Sequence, residues 1–269
     1  MIPKTLQEAI CRKEANKLLD QFLVGAPDEI DLETIAWKVG HLRVEYGELD
    51  TAEGRLVATD HNGVIRVKAS IASEGRRRFI IAHEIGHYRL HKTRSICDTL
   101  KNLSMWEEGN PETEANVFAG ELLMPERLLS PRLKGIEPGL AAVDKLAADF
   151  RTSSLATAVQ FVTYTKEPVA LVVTIGGNVR WMRRSSSFGY FIPLAKSPHG
   201  FTAAGEILSR KNGNTGGMVS VPAGAWLKGF DPNGRDVIME DAREVRHYGM
   251  IVSLLWINEE LGEDEWDKD

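Results

Sequence analysis

The amino-acid sequence predicts an α+β protein whose first half is mainly helical and whose second half is rich in strands. Apolar residues repeat at helical spacing on both sides of the motif His83–His87, an H-E-x-x-H sequence within an apolar run. Beyond Pro168, short apolar segments alternate with glycine-rich turns, which is typical of strands. We therefore expect one domain at residues 1–130, a helical unit at 131–166 and a strand-rich α/β domain at 167–269.

Length and composition are those of an ordinary globular protein. The chain has 269 residues, of which 43% are hydrophobic and 26% charged, and its formal net charge is −5. This charge argues against a chain built wholly to coat nucleic acid. No run of 18 apolar residues is present and the first 14 residues lack an apolar signal core, so we expect a cytoplasmic protein without a membrane partner. The two cysteines, Cys11 and Cys97, are too few for a disulfide framework.

The first domain is expected to place short strands between helices. An amphipathic pattern predicts a helix over Thr5–Leu23, and Asp31 is the expected N-cap of a second helix that ends at Gly40. Three strands, which we expect to form a small antiparallel sheet, are predicted at Leu42–Tyr46, Gly54–Thr59 and Gly63–Ala69. The motif helix should run from Ser73 or Glu74 to His91, followed by a loop or broken helix over 92–109.

The H-E-x-x-H motif has a chemical interpretation. On a helix, residues four apart share a face, so His83 and His87 can hold one Zn²⁺ through their imidazole nitrogens. Glu84 then lies beside the open position of the metal, where a carboxylate can take a proton from water. This arrangement predicts peptide-bond hydrolysis. Zinc is the expected metal, with manganese as the alternative, because histidine and glutamate ligands accept both.

A second helix is predicted to supply the third ligand of the metal. Asn110 and Pro111 read as its cap and first residue, and Pro125 closes it after a run of residues that is apolar around most of its circumference. The acidic and imidazole side chains that follow the motif are Glu112, Glu114, His91, Asp98, Glu107, Glu108 and Glu121. Spacing alone does not choose between Glu112 and Glu114.

The two segments together resemble the ImmA/IrrE family of metallopeptidases, in which E-A-N/D-x-F-A-x-x-L-L-M-P follows H-E-x-x-H. Here the second pattern runs from Glu114 to Pro125. The resemblance implies a gluzincin-like domain with Glu114 as the third ligand and Glu84 as the catalytic base. It also implies limited proteolysis of a helix-turn-helix repressor, which derepresses stress, mobile-element or defence genes. The alternative is a non-catalytic, metal-stabilised regulator that binds a repressor or nucleic acid.

The helical unit that follows looks like a helix-turn-helix. Its two helices are predicted at Leu140–Phe150 and Ser154–Thr163. The second is poor in Arg, Lys and Asn, so we favour packing over entry into a DNA groove. The strand-rich domain after it is expected to open with a hairpin whose turn is Gly176-Gly177-Asn178. A GAF-like sensor or regulatory module is one candidate for this domain.

Two further features carry competing interpretations. Arg180, Arg183 and Arg184 flank Trp181, and basic residues interleaved with aromatics can bind single-stranded DNA or another signal. We favour the alternative, an edge strand protected by charge. The thiolate of Cys97 is a candidate inhibitory metal ligand in place of water, although a small buried apolar side chain is the more frequent role of a cysteine.

Overall fold

The fold is described from a computed structural model. The described residues are 6–91, 95–98, 109–209, 216–259 and 261, with the side chains of 95–98 and 247 excepted. The chain divides into two compact units. Unit 1 contains Met1–Arg132 and Asp144–Gln160, and unit 2 contains Leu133–Val143 and Phe161–Asp269.

Unit 1 combines helices with a four-stranded sheet. Its helices are α1 (Leu6–Gln21), α2 (Leu32–Gly40), α3 (Glu74–His91), α4 (Pro111–Leu123) and α5 (Glu126–Leu133). Its strands are β1 (Leu42–Gly47), β2 (Gly54–Ala58), β3 (Gly63–Lys68) and β4 (Ser95–Asp98). The predicted caps are confirmed, since the Asp31 carboxylate accepts hydrogen bonds from two backbone amides of α2 and the Asn110 side chain accepts one from Glu112.

The strand order of this sheet is β1-β3-β2-β4. Strands β2 and β3 form an antiparallel pair, as predicted, but β1 pairs with β3 in parallel. The prediction of an antiparallel sheet is therefore wrong for this pair. The reason is topological, because the β2–β3 hairpin places β2 on the far side of β3, and β3 then runs in the direction of β1. Strand β4 lies in the segment predicted as a loop or broken helix, and it pairs with β2.

Alternation of side chains gives this sheet two different faces. Leu56 of β2 and Ile65 and Val67 of β3 are fully buried, and α3 packs against both strands. The neighbouring positions on β2, Arg55 and Val57, are exposed. Helix α3 also packs against α4, and α4 against α1, so the motif helix is surrounded by apolar contacts.

Unit 2 contains a five-stranded antiparallel sheet. Its strands are β5 (Val169–Ile175), β6 (Asn178–Arg184), β7 (Val219–Pro222), β8 (Val237–Val245) and β9 (Met250–Trp256), in the order β6-β5-β9-β8-β7. The predicted hairpin is confirmed, with Gly176 and Gly177 at φ of 59° and 78° in the turn between β5 and β6. One helix, α8 (Ala203–Leu208), belongs wholly to this unit and contributes to an apolar cluster with Val172, Trp226 and Leu255.

Two further helices, α6 (Leu140–Phe150) and α7 (Ser154–Tyr164), match the predicted helix pair. The boundaries between the units fall inside these helices, so the segment 131–166 is shared between unit 1 and unit 2. Within the described part of the chain, no helix has the length and apolarity needed to cross a membrane.

Candidate metal centre

Helix α3 delivers both histidines of the motif to the interior of unit 1. His83, Glu84 and His87 are fully buried. The helix approaches α4 closely at Gly86, where an added Cβ atom would lie 3.3 Å from the Cα atom of Ala115. The absence of a side chain at this position therefore lets the first turns of α4 reach the imidazoles.

Three side chains converge at this contact. The Nε2 atoms of His83 and His87 lie 2.9 Å apart. The two carboxylate oxygens of Glu112, in the first turn of α4, lie 3.3 Å from them, Oε2 from His83 and Oε1 from His87. Among the described residues, these three form the group of histidine, cysteine and acidic side chains that can share one metal ion.

The arrangement fits a tetrahedral metal site. Zinc lies about 2.0–2.1 Å from imidazole nitrogens and carboxylate oxygens, so two of its ligand atoms are about 3.3 Å apart at the tetrahedral angle. The two Nε2 atoms are 2.9 Å apart and each lies 3.3 Å from a different oxygen of the Glu112 carboxylate, so each of these separations is within a few tenths of an ångström of that value. Two histidines and one glutamate are also a ligand set that leaves one position open for substrate or water.

Asn116 fixes the orientation of the first histidine. Its side-chain oxygen accepts a hydrogen bond from Nδ1 of His83 at 2.9 Å. A neutral imidazole that donates from Nδ1 presents the lone pair of Nε2, the atom that faces Glu112. Asn116 lies one helical turn after Glu112, so α4 provides both the carboxylate of the site and the hydrogen bond that orients His83. Sequence reasoning missed Asn116, although the four-residue spacing of the two side chains is a usable signal.

Electrostatics in the site favour a neutral imidazole beside an ionised carboxylate. Burial lowers the pKa of His87 to about 4, against the opposing effect of the Glu112 carboxylate. Burial opposes ionisation of Glu112, but hydrogen bonds from His83 and His87 outweigh it and hold the pKa of this carboxyl well below its usual value. At neutral pH His87 is therefore neutral and Glu112 is ionised, which are the protonation states that metal binding requires.

Glu84, the second residue of the motif, projects its side chain from α3 toward β2. Its Oε1 atom is 3.1 Å from the point where a Cβ atom of Gly54 would stand, and Ile80 is closer still at 2.3 Å. A side chain at position 54 would therefore displace Ile80 and crowd the Glu84 carboxylate. Glu84 is buried next to His83 without belonging to the three-residue metal group.

The third-ligand position differs from the one that the resemblance implied. Glu114 does not join the two histidines, because its Oε2 atom lies 3.7 Å from Nε2 of His91. Both glutamates reach histidines of α3, Glu112 at His83 and His87 and Glu114 at His91, one turn further along the motif helix. The structure thus places Glu112 beside the two histidines of the motif, and the ligand role of Glu114 stays a prediction.

The arginine cluster of the hairpin is largely committed to contacts within unit 2. Nε of Arg183 donates a hydrogen bond to the Thr163 hydroxyl at 2.8 Å, and Arg184 donates to the backbone oxygen of Tyr190. Only Arg180 of the three is exposed. Strand β6 is an edge strand of its sheet, so the structure favours the interpretation of a charged edge strand over nucleic-acid binding.

Cys97 lies on β4, where its backbone pairs with Arg55. Its side chain lies outside the described atoms, so its role as an inhibitory ligand stays a prediction. The other cysteine, Cys11, is buried, and burial raises the pKa of its thiol to about 12. A thiol in that state is a poor metal ligand at neutral pH.

Comparison with known proteins finds a peptidase family and two relatives that are similar to parts of this chain. Residues 41–161 match the peptidase family described as the IrrE N-terminal-like domain. The chain is 35% identical to the metallopeptidase ImmA of Bacillus subtilis over 81 residues, which cover 30% of this chain and 46% of ImmA. It is 25% identical to immunity region protein 2 of Bacillus phage phi105 over 125 residues, which cover 45% of this chain and 72% of the phage protein.

A solved structure, a transcriptional regulator of Mycobacterium tuberculosis, shares the fold. It aligns with a TM-score of 0.60 over 92% of this chain and 87% of the regulator, at 17% sequence identity. The family match includes the whole of α3 and α4 and thus all residues of the metal centre. Through residues 41–161, the chain is therefore similar to the IrrE N-terminal-like peptidase domains, in agreement with its resemblance to the ImmA/IrrE family.

Proposed function

We propose that this chain is a metal-dependent endopeptidase that cleaves a helix-turn-helix repressor at one or a few sites. The observation that supports the proposal best is the convergence of His83, His87 and Glu112 within 3.3 Å of one another, next to the buried Glu84. Two buried histidines with a purely structural role would not require a carboxylate beside them. The match of residues 41–161 to the IrrE N-terminal-like peptidase domain and the similarity to the metallopeptidase ImmA support peptidase activity.

The three converging side chains would hold the metal, which we expect to be zinc, with manganese as the alternative. Such an ion supplies Lewis acidity, which activates water and polarises a carbonyl group at neutral pH. Asn116 keeps the lone pair of His83 directed at the site through the hydrogen bond to Nδ1. The ionised Glu112 offsets the positive charge of the ion.

Glu84 is the proposed general base and general acid. Its carboxylate takes a proton from the water molecule whose oxygen attacks the peptide carbonyl carbon. When the carbon–nitrogen bond breaks, Glu84 gives that proton to the leaving amine, so it ends the cycle ionised. Gly54 leaves room for this carboxylate between β2 and α3.

The substrate and its biological role are the finer parts of the proposal. The names of the relatives, a metallopeptidase, a phage immunity-region protein and a transcriptional regulator, are consistent with control of gene expression. We propose that cleavage of the repressor derepresses stress, mobile-element or defence genes. Unit 2, which has its own five-stranded sheet and apolar cluster, is the proposed GAF-like sensor or regulatory domain.

Incubation with helix-turn-helix repressors, including any that is encoded beside the gene, tests this proposal. We expect discrete fragments from the purified protein, loss of cleavage after treatment with a chelator, and recovery when zinc or manganese is added back. Cleavage that persists in the metal-free protein would contradict the proposal. Tight binding of an intact repressor by the metal-loaded protein would instead support the non-catalytic regulator.

A further inference from the structure

A cavity separate from the metal centre lies on the outer face of the unit 1 sheet. Its volume is about 430 Å³, within the range of roughly 300–1,000 Å³ typical of ligand sites. Its walls come from the end of α2, the start of β1 and the β2–β3 turn. The side chains that line it include Trp37, His41, Arg43, Val57 and Val64.

The walls of this cavity are fixed before any ligand arrives. His41 caps α2 in the left-handed conformation, at φ 49°, and its Nδ1 atom is hydrogen-bonded to the backbone oxygen of His61 at 3.1 Å. The Trp37 ring lies against the His41 ring, with 5.1 Å between centroids. Even so, Trp37 is 49% exposed and Val57 is 55% exposed. A large indole and a branched apolar side chain therefore face solvent across a preformed space.

Charge on this face of the sheet is positive. The strand register places Arg43, Val64 and Val57 in one row across β1, β3 and β2, and Glu45, Arg66 and Arg55 in the next. These two rows carry three arginines and one glutamate, a local excess of two positive charges in a chain whose net charge is −5. Arg66 pairs with Glu45 at 3.3 Å. Arg43 and Arg55 form no ion pair with any described side chain.

We propose that this surface binds an acidic segment of a partner polypeptide. One apolar side chain of the segment fills the space between Trp37 and Val57, and neighbouring carboxylates pair with Arg43 and Arg55. Arginine suits this role because its planar guanidinium group binds carboxylates in a bidentate manner. Nucleic acid fits less well, since Arg43 and Arg55 beside Glu45 would neutralise few phosphates and the rest of the chain is acidic.

Strand β2 connects this surface to the metal centre within unit 1. It leads from Ala58 at the cavity to Gly54 beside Glu84, four residue steps or about 13 Å. Glu84 lies on the opposite, buried face of the sheet, so a polypeptide bound at the cavity would have to pass around an edge of the sheet to reach the proposed catalytic site. The role of the cavity as a substrate-holding surface rests on the proposed function, whereas the binding itself does not.

Fluorescence anisotropy with a short labelled peptide tests the binding in the full chain. The probe carries one leucine among aspartates and glutamates. Two comparison peptides replace either the acidic residues by lysine or the leucine by serine. A single-stranded oligonucleotide is the third comparison probe. We expect the acidic leucine peptide to bind best and to weaken at higher salt. Trp37→Ser and Arg43→Glu should each raise its Kd by about ten-fold or more.

Arg235→Glu is the matched control, because Arg235 is an exposed arginine of unit 2 and its reversal changes net charge equally. This variant should bind the probe as the wild type does. The proposal is overturned if the wild type does not bind the acidic peptide, if both cavity variants bind it normally, or if the lysine peptide or oligonucleotide binds better. Peptide binding is measured without cleavage, so its failure leaves the proposed peptidase function untouched.

Discussion

At the scale of single residues, the metal centre depends on which histidines of α3 each glutamate of α4 reaches. Glu112 lies in the first turn of this helix, where the helix dipole and two imidazoles favour its ionised form. Glu114, two residues later, faces His91 instead. The difference between the two glutamates is therefore which turn of α3 each one reaches, and the sequence motif alone does not specify this.

Matched substitutions of the two glutamates test this assignment. Glu112→Gln removes a negative charge from the three-residue group and should weaken zinc binding by about 100-fold or more, whereas Glu114→Gln should change it little. Competition with a chromophoric chelator measures both affinities. If Glu114→Gln loses zinc and Glu112→Gln retains it, the third ligand is Glu114, as the family resemblance implied.

The lowered pKa of His87 predicts how stability depends on pH. In the metal-free protein its pKa is about 4, against 6.5 for the free side chain. Between these values the unfolded chain binds a proton that the folded chain does not, so stability falls as pH decreases from 6.5 to 4. The contribution of this single group is roughly 3 kcal/mol. Urea unfolding of the metal-free wild type and of His87→Gln at several pH values measures it, and equal pH slopes would contradict it.

At the scale of elements, local chemistry made the helices of unit 1 and the hairpin of unit 2 predictable. Asp31 and Asn110 cap their helices as expected, and α3 has the predicted extent of Glu74–His91. The parallel pairing of β1 with β3 was not predictable, because it depends on where the β2–β3 hairpin is placed. Strand β4 was missed since its pairing with β2, rather than its own four residues, makes it a strand.

Glu240 is the polar element that holds part of unit 2 together. Its buried carboxylate, on β8, accepts hydrogen bonds from the amides of Ala203 and Ala204, which begin α8, and from the side chains of Trp226 and Ser253. Burial raises the pKa of this carboxyl, and the four donors oppose that effect. These bonds tie α8 and the Trp226 segment to the sheet.

Glu240→Gln should therefore destabilise unit 2. An amide nitrogen cannot accept hydrogen bonds, so two of the four donors lose their acceptor, at a cost of about 2–4 kcal/mol. Glu244→Gln, on the same strand but partly exposed, is the control and should cost far less. Urea unfolding followed by tryptophan fluorescence compares them, and equal midpoints would show that the buried network contributes little.

At the scale of the whole molecule, the proposed chemistry and the proposed regulation occupy different units. His83, Glu84, His87 and Glu112 all belong to unit 1. The chemistry of His83, Glu84 and His87 could be predicted because H-E-x-x-H concentrates it in five consecutive residues on one helix, whereas Glu112 lies on a second helix and was left undecided against Glu114. The sequence of the strand-rich unit 2 contains no motif of that kind, so it does not indicate which ligand or signal the proposed regulatory domain would bind.

The proposed reaction requires that unit 1 holds a metal and that Glu84 performs the proton transfers. Metal content and repressor cleavage, measured in parallel on the wild type and on Glu84→Gln, test it most directly. Since Glu84 lies outside the three-residue metal group, the variant should retain one equivalent of metal, while cleavage should fall by at least about 100-fold. A metal-loaded Glu84→Gln protein that cleaves the repressor at the wild-type rate would contradict the account.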